Sequence, residues 1–190
     1  MLTRRDIIDG LRRLDEIARE HGVMIDIAVY GGAALSLVYD VRQATRDVDA
    51  VVHQHSEFFR EASARIAAER DWPEDWLNDG VKGFLSAKEA MQSLPGFPGS
   101  ETAGLRIYTP TPEYLFAMKC LAMRPDGIEG SHDISDIEFL ADHAQIPDAE
   151  AAMQLVETFY PANRIPAKVR FGIEEIMERI NVARAKTKLT

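Results

Sequence analysis

The passage from Ile25 to Val52 narrows the folds open to this chain more than any other, because its pattern changes character three times. Ile25 to Tyr30 is rich in β-formers and predicts a buried strand. Gly31-Gly32 breaks it, and Ala33 to Tyr39 has the composition of a short helix. Arg46 to Val52 then alternates. Val48, Ala50 and Val52 face one way, while Asp47, Asp49 and Val51 face the other. A strand, a glycine turn, a helix and a second strand carrying acids on one face call for a sheet layered with helices.

The flanking segments agree with such a layer. Thr3 to His21 predicts an amphipathic helix, with Thr3 as N-cap, Ile7, Ile8, Leu11, Leu14 and Ala18 on one stripe, and Gly22 as its stop. A second helix is expected over Ser56 to about Arg70, with Phe58, Phe59, Ala62 and Ile66 facing inward. Asp71 to Gly80 reads as a Trp-rich, acidic connection and Val81 to Leu85 as a strand. Ser93 to Gly104, with its two prolines and three glycines, reads as a flexible loop. Leu105 to Tyr108 is a further short strand. Thr111-Pro112-Glu113 is a strong helix start, with a hydroxyl N-cap, Pro at N1 and an acid in the first turn. That helix runs to about Met123, and others follow over Ser135 to His143, Asp148 to Phe159 and Pro166 to Ala185. The expected class is α/β (α+β), with a core over residues 1–110 and a helical C-terminal region over 111–190.

Charge and composition exclude several functions. A formal net charge of -9 argues against a broad, sequence-independent hold on DNA or RNA, although it leaves room for a local basic pocket. The longest nearly apolar run, Ile27 to Tyr39, falls short of the ~20 residues a membrane-spanning helix needs. The opening Met-Leu-Thr-Arg-Arg-Asp lacks an apolar secretory segment. The single cysteine, Cys120, cannot form an internal disulfide and suits a reducing compartment. The location expected is cytoplasmic, with no membrane partner.

The residues that point to chemistry are Gly31-Gly32, Arg42, Thr45, Arg46, Asp47 and Asp49. Two carboxylates at i and i+2 of a strand lie ~6–7 Å apart at Cα on one face, so their oxygens can converge on Mg²⁺, or on Mn²⁺. A glycine pair opening a helix offers unpaired N–H groups and close backbone approach to phosphate. Arg42 and Arg46 supply positive charge beside it. Lys119 lies in a helix that is apolar on nearly every side, and so must find a carboxylate, a phosphate or an exit to water. His53 and His55 would join the aspartates in a metal phosphohydrolase if the strand ran on; they are solvated at the next helix start if it does not. Cys120 reads as a small buried hydrophobe, and Trp72 and Trp76 as packing residues rather than base-stacking ones. Glu69, Asp71, Glu74, Asp75 and Asp79 read as a solvated acidic face.

The stretch Val29-Tyr30-Gly31-Gly32-Ala33-Ala34 through Arg42-Gln43-Ala44-Thr45-Arg46-Asp47-Val48-Asp49 resembles the opening motif of minimal nucleotidyltransferases. Within that superfamily it is most similar to the bacterial group related to AbiEii-type toxins of toxin–antitoxin systems. Trp76-Leu77-Asn78-Asp79 and Pro112-Glu113-Tyr114-Leu115-Phe116-Ala117-Met118-Lys119 resemble that group's middle motifs. Ala122-Met123-Arg124 and Asp133-Ile134-Ser135-Asp136-Ile137 resemble its later ones, so the likeness covers about residues 25–140. It implies a polymerase-beta-like nucleotidyltransferase fold, with a small mixed sheet flanked by helices. It also implies Mg²⁺-dependent transfer of a nucleotide from an NTP such as ATP to a hydroxyl of tRNA or protein, with a cognate antitoxin as partner. Asp47 and Asp49 match the metal-binding pair, Lys119 the triphosphate-contacting lysine, and Asp133 the later catalytic aspartate, with Asp136 as its alternate. Three features depart from the pattern. The usual Gly-Ser is Gly31-Gly32, the span from Gly32 to Asp47 is longer than in the smallest members, and Leu105 to Tyr108 lacks a third acid. The rival expectation is a catalytically inactive module that binds a nucleotide or a protein partner.

Overall fold

A computed structural model describes residues 1–99, 102–124 and 132–187 and divides into two compact units. The first comprises Met1–Gly83 and Met91–Pro110, the second Phe84–Ala90 and Thr111–Thr190.

The first unit is mixed α/β. Its elements are β1 (Leu2–Thr3), α1 (Arg4–Glu20), β2 (Met24–Val29), α2 (Gly31–Tyr39), β3 (Ala44–Thr45), β4 (Val48–Val52), α3 (Ser56–Arg70), β5 (Leu77–Asn78), β6 (Met91–Pro98) and β7 (Gly104–Pro110). Five strands form one mixed sheet in the order β5-β4-β2-β7-β6, and β1 pairs with β3 separately. β2 runs antiparallel to β4 and parallel to β7. Ile25, Ile27, Val29, Val48, Ala50, Leu105 and Ile107 join α1 and α3 in one buried cluster. Thr3 caps α1 reciprocally with Asp6, an arrangement worth about 1 kcal/mol. Ile7, Leu11 and Leu14 are fully buried on its inner stripe, each contributing roughly 1.5–3 kcal/mol relative to exposure. Gly22, at φ 65, takes the left-handed turn that ends the helix.

Two expectations fail here. Val81 to Leu85 is not a strand, because a 3₁₀ helix spans Gly80–Phe84, opened by the Lys82 N–H donating to the Asp79 carbonyl. Most of the supposed loop from Ser93 onward is strand: β6 pairs antiparallel with β7. Pro95 and Pro98 are tolerated because β6 is an edge strand. A register shift between Ser93 and Pro98, with Gly96 at φ 94, absorbs the irregularity. Residues 100 and 101 of that expected loop lie outside the described residues.

The second unit is helical in its described residues: α4 (Pro112–Ala122), α5 (Asp133–His143), α6 (Ala149–Phe159) and α7 (Ala167–Thr187). Thr111 caps α4 through the Tyr114 N–H, and Asp148 caps α6 through the Ala151 N–H. α4 is buried at Tyr114, Leu115, Phe116, Ala117, Met118, Cys120 and Leu121 and packs on α5, α6 and α7. Val169, Ile173, Ile176, Met177 and Ile180 form the buried stripe of α7. The segment 84–90 joins this unit through specific bonds. Ser86 N–H donates to the Tyr114 hydroxyl at 2.9 Å, Tyr160 donates to Phe84 O at 2.6 Å, and Arg164 donates to Leu85 O at 3.0 Å. No helix among the described residues is long and apolar enough to cross a membrane.

Candidate functional site

The antiparallel pairing of β2 with β4 builds the first constellation. In register, Val29 faces Ala50, and the Tyr30 N–H donates to Asp49 O at 2.9 Å. The turn that leaves β2 therefore sits beside Asp49, and α2 starts there at Gly31. Gly31 has φ 61, and a Cβ on it would lie 3.0 Å from Asp49 Oδ2. Only glycine meets both conditions without strain. On the other side, a Cβ on Gly80 would lie 3.6 Å from Asp49 Oδ1. The Asp49 carboxylate is thus flanked by two glycines.

Gly32 admits a different group. A Cβ there would fall 1.9 Å from Arg42 Nη1 and 3.1 Å from Thr45 Oγ1. The guanidinium of Arg42 therefore occupies the space beside the first turn of α2. Its backbone is tied to that helix as well, with Ser36 Oγ donating to Arg42 O at 3.1 Å. Thr45 is buried, and its strand pairs with Leu2. Arg46 is exposed. Asp47 lies one residue before β4 rather than within it; burial still alternates, with Val48 and Ala50 buried and Asp47 and Asp49 half-buried. Asn78, which the residue pattern alone did not single out, donates from Nδ2 to Asp47 Oδ2 at 3.2 Å. The signal for it was the tetrapeptide Trp76-Leu77-Asn78-Asp79.

A second constellation lies within the helical unit. Lys119 Nζ is 2.7 Å from Asp136 Oδ2 and 3.5 Å from Asp133 Oδ1, with all three side chains at most 11% exposed. Arg124 donates from Nε to Asp133 Oδ2 at 2.9 Å. The guanidinium of Arg124 beside Asp133 is held above its ordinary pKa by that bond. Of the outcomes open to a lysine in an apolar helix, Lys119 takes the carboxylates.

Other candidates resolve plainly. β4 ends at Val52, and His53 and His55 are exposed, with His55 at φ 58 preceding α3. Trp76 is fully buried, donates to Ser63 O at 3.1 Å and packs edge-on against Trp72. Cys120 is buried, and desolvation pushes its thiol pKa well up. Glu69, Asp71, Glu74, Asp75 and Asp79 are all exposed. Among the described residues no group of three or more His, Cys, Asp or Glu side chains gathers as a metal centre. No family model matches the chain, and no curated protein or solved structure shows significant similarity to it.

Proposed function

We propose that this protein is a metal-dependent nucleotidyltransferase that moves a nucleotide from an NTP to a hydroxyl of tRNA or protein. Its fold would be of the polymerase-beta-like kind. The observation that carries the reading is the meeting of the α2 start at Gly31-Gly32 with Asp49, with Arg42 over the same turn. Backbone N–H groups, the positive helix end and a guanidinium then converge where a triphosphate would need them. Asp47 and Asp49 fit a hard cation such as Mg²⁺ or Mn²⁺. Magnesium takes one or two protein carboxylates and fills its shell with phosphate oxygens and water, so a two-acid site suffices when the nucleotide is present. When bound, the cation would neutralise the charge of the leaving pyrophosphate.

The chain's own part is positioning, as is usual in phosphoryl chemistry. Gly31 and Gly32 keep side chains out of the phosphate path, and Arg42 offsets its charge. The resemblance gives Lys119 a triphosphate contact and makes Asp133, or Asp136, the later catalytic aspartate, which would help activate the acceptor hydroxyl or complete the metal shell. In the cell such an activity would suit a growth-inhibiting toxin restrained by a cognate antitoxin.

The test is incubation with each α-³²P-labelled NTP, Mg²⁺ and total tRNA, beside an Asp47→Ala/Asp49→Ala control. Label on RNA or protein with the wild type alone is expected. Absence of label throughout favours a second reading, a non-catalytic module binding a nucleotide or protein partner. That reading draws on β7, whose residues Gly104–Pro110 include no acid. A thermal shift with each NTP, with and without Mg²⁺, separates the two: metal-dependent stabilisation belongs to the enzyme.

A further inference from the structure

We propose that Asn78 is a positioning residue for Asp47, fixing its carboxylate in the orientation that cation binding by Asp47 and Asp49 needs. The inference rests on the metal-site reading above and adds to it a neutral residue from a different strand. The parallel pairing of β5 with β4 sets Asn78 level with Asp49 and sends its neighbour Leu77 into the core.

The amide of Asn78 has one workable orientation. Its Oδ1 accepts the Gly80 N–H at 2.9 Å, and its Nδ2 donates to Asp75 O at 3.3 Å and to Asp47 Oδ2 at 3.2 Å. A flipped amide would set NH₂ against the Gly80 N–H and oxygen against both the carboxylate and the Asp75 carbonyl, so the network forbids it. The absence of a side chain at Gly80 leaves room for this closure, because a Cβ there would press on Asn78 Oδ1 at 3.0 Å. The turn from Asn78 to Gly80 thus holds the donor, and the donor holds Oδ2 of Asp47. With Oδ2 engaged, rotation of the Asp47 carboxylate is restricted, which is how the amide would orient Oδ1 toward a cation. Groups that orient a metal ligand in this way govern metal affinity by roughly 10–100-fold.

Asn78→Ser is the sharpest probe. A serine hydroxyl can still accept the Gly80 N–H in the same kind of turn but is too short to reach Asp47. Asn78→Ala, which removes both bonds, is the second variant should the first fold poorly. Affinity is measured by calorimetry for each NTP preloaded with Mn²⁺, and for the same NTP in EDTA. The expected result is a drop of roughly 10–100-fold for Mn²⁺·NTP with metal-free NTP binding unchanged. Equal Mn²⁺·NTP affinity in the variants and the wild type overturns the proposal while leaving the metal site standing. A parallel loss in both conditions also overturns it, since it marks a loop held for shape alone. A wild type that binds NTP equally with and without Mn²⁺ removes the metal-site reading itself, and the proposal with it.

Discussion

Replacing Lys119 with methionine tests whether the cation in α4 is held by buried carboxylates or lies at a solvated surface. Methionine keeps the length and apolar stem of lysine, so little packing is lost and the change is chiefly electrostatic. The lysine side chain is 11% exposed and those of Asp133 and Asp136 are 5% exposed, so water screens the group poorly. Removing one member of such a buried set costs about 3–5 kcal/mol, because the desolvated charges that remain lose their compensation. For a chain of this length each kcal/mol moves Tm by roughly 2–4 °C, which puts the expected fall at roughly 6–20 °C. Thermal unfolding of Lys119→Met and wild type, followed by far-UV circular dichroism, measures that fall, and urea unfolding gives the free-energy loss. The double variant Lys119→Met/Asp136→Asn should recover part of the loss, because contacting charges couple by about 0.5–3 kcal/mol. A loss under about 1 kcal/mol, the value of an exposed pair, would refute the reasoning. The result also decides how activity data are read. Loss of nucleotidyl transfer in a Lys119 variant speaks to substrate contact only when measured well below that variant's Tm.

Three other outcomes are expected. Gly32→Ala should displace the Arg42 guanidinium, which lies 1.9 Å from the added Cβ, so in a double-mutant cycle of NTP affinity Gly32→Ala adds little once Arg42 is alanine; additive losses would sink this. Hydrogen bonds from Arg13 and then Arg65 hold Glu69 at a pKa of about 2 against 4.5, so its folded-state pKa is depressed. Its stabilisation is full above pH 4.5 and fades as pH falls through about 2, so the stability gap between wild type and Glu69→Gln should close over that window in stepped-pH melts. Cys120, buried with its thiol pKa raised, should resist an aromatic disulfide reagent in the native state and react in urea; rapid native labelling would contradict the packing of α4.

Local pattern made much of this protein legible. Thr3 and Thr111 are hydroxyl caps before apolar runs, and each opens a helix where side-chain chemistry requires it. The candidate acids were visible because alternation separated Asp49 from Val48 and Ala50. β6 was hidden because Pro95, Gly96 and Pro98 carry the same local signal in a loop and in an irregular edge strand; only the pairing partner β7 distinguishes them. Arg42 and Asn78 show the same limit. Arg42 was readable as a nearby positive charge, but its seat over Gly32 depends on how the chain returns after α2. Asn78 lies thirty-one positions from Asp47, and nothing short of the β4–β5 register connects them.

Two glycines crowd the carboxylate of Asp49. Gly31 and Gly80 each end up with the space of a missing Cβ turned toward a different oxygen of one carboxylate, at 3.0 and 3.6 Å. Gly31 also has φ 61, so turn geometry alone would account for it; Gly80 has no such excuse, since its φ is not among the positive ones. A turn that needed no access would tolerate alanine at 80. Alanine there should therefore cost little through backbone strain but press on Asn78 Oδ1, and through Asn78 on Asp47. If Gly80→Ala leaves Mn²⁺·NTP affinity unchanged, the close approach at this turn is incidental. If it reproduces the defect of Asn78→Ser, the turn, the amide and the two acids act as one unit.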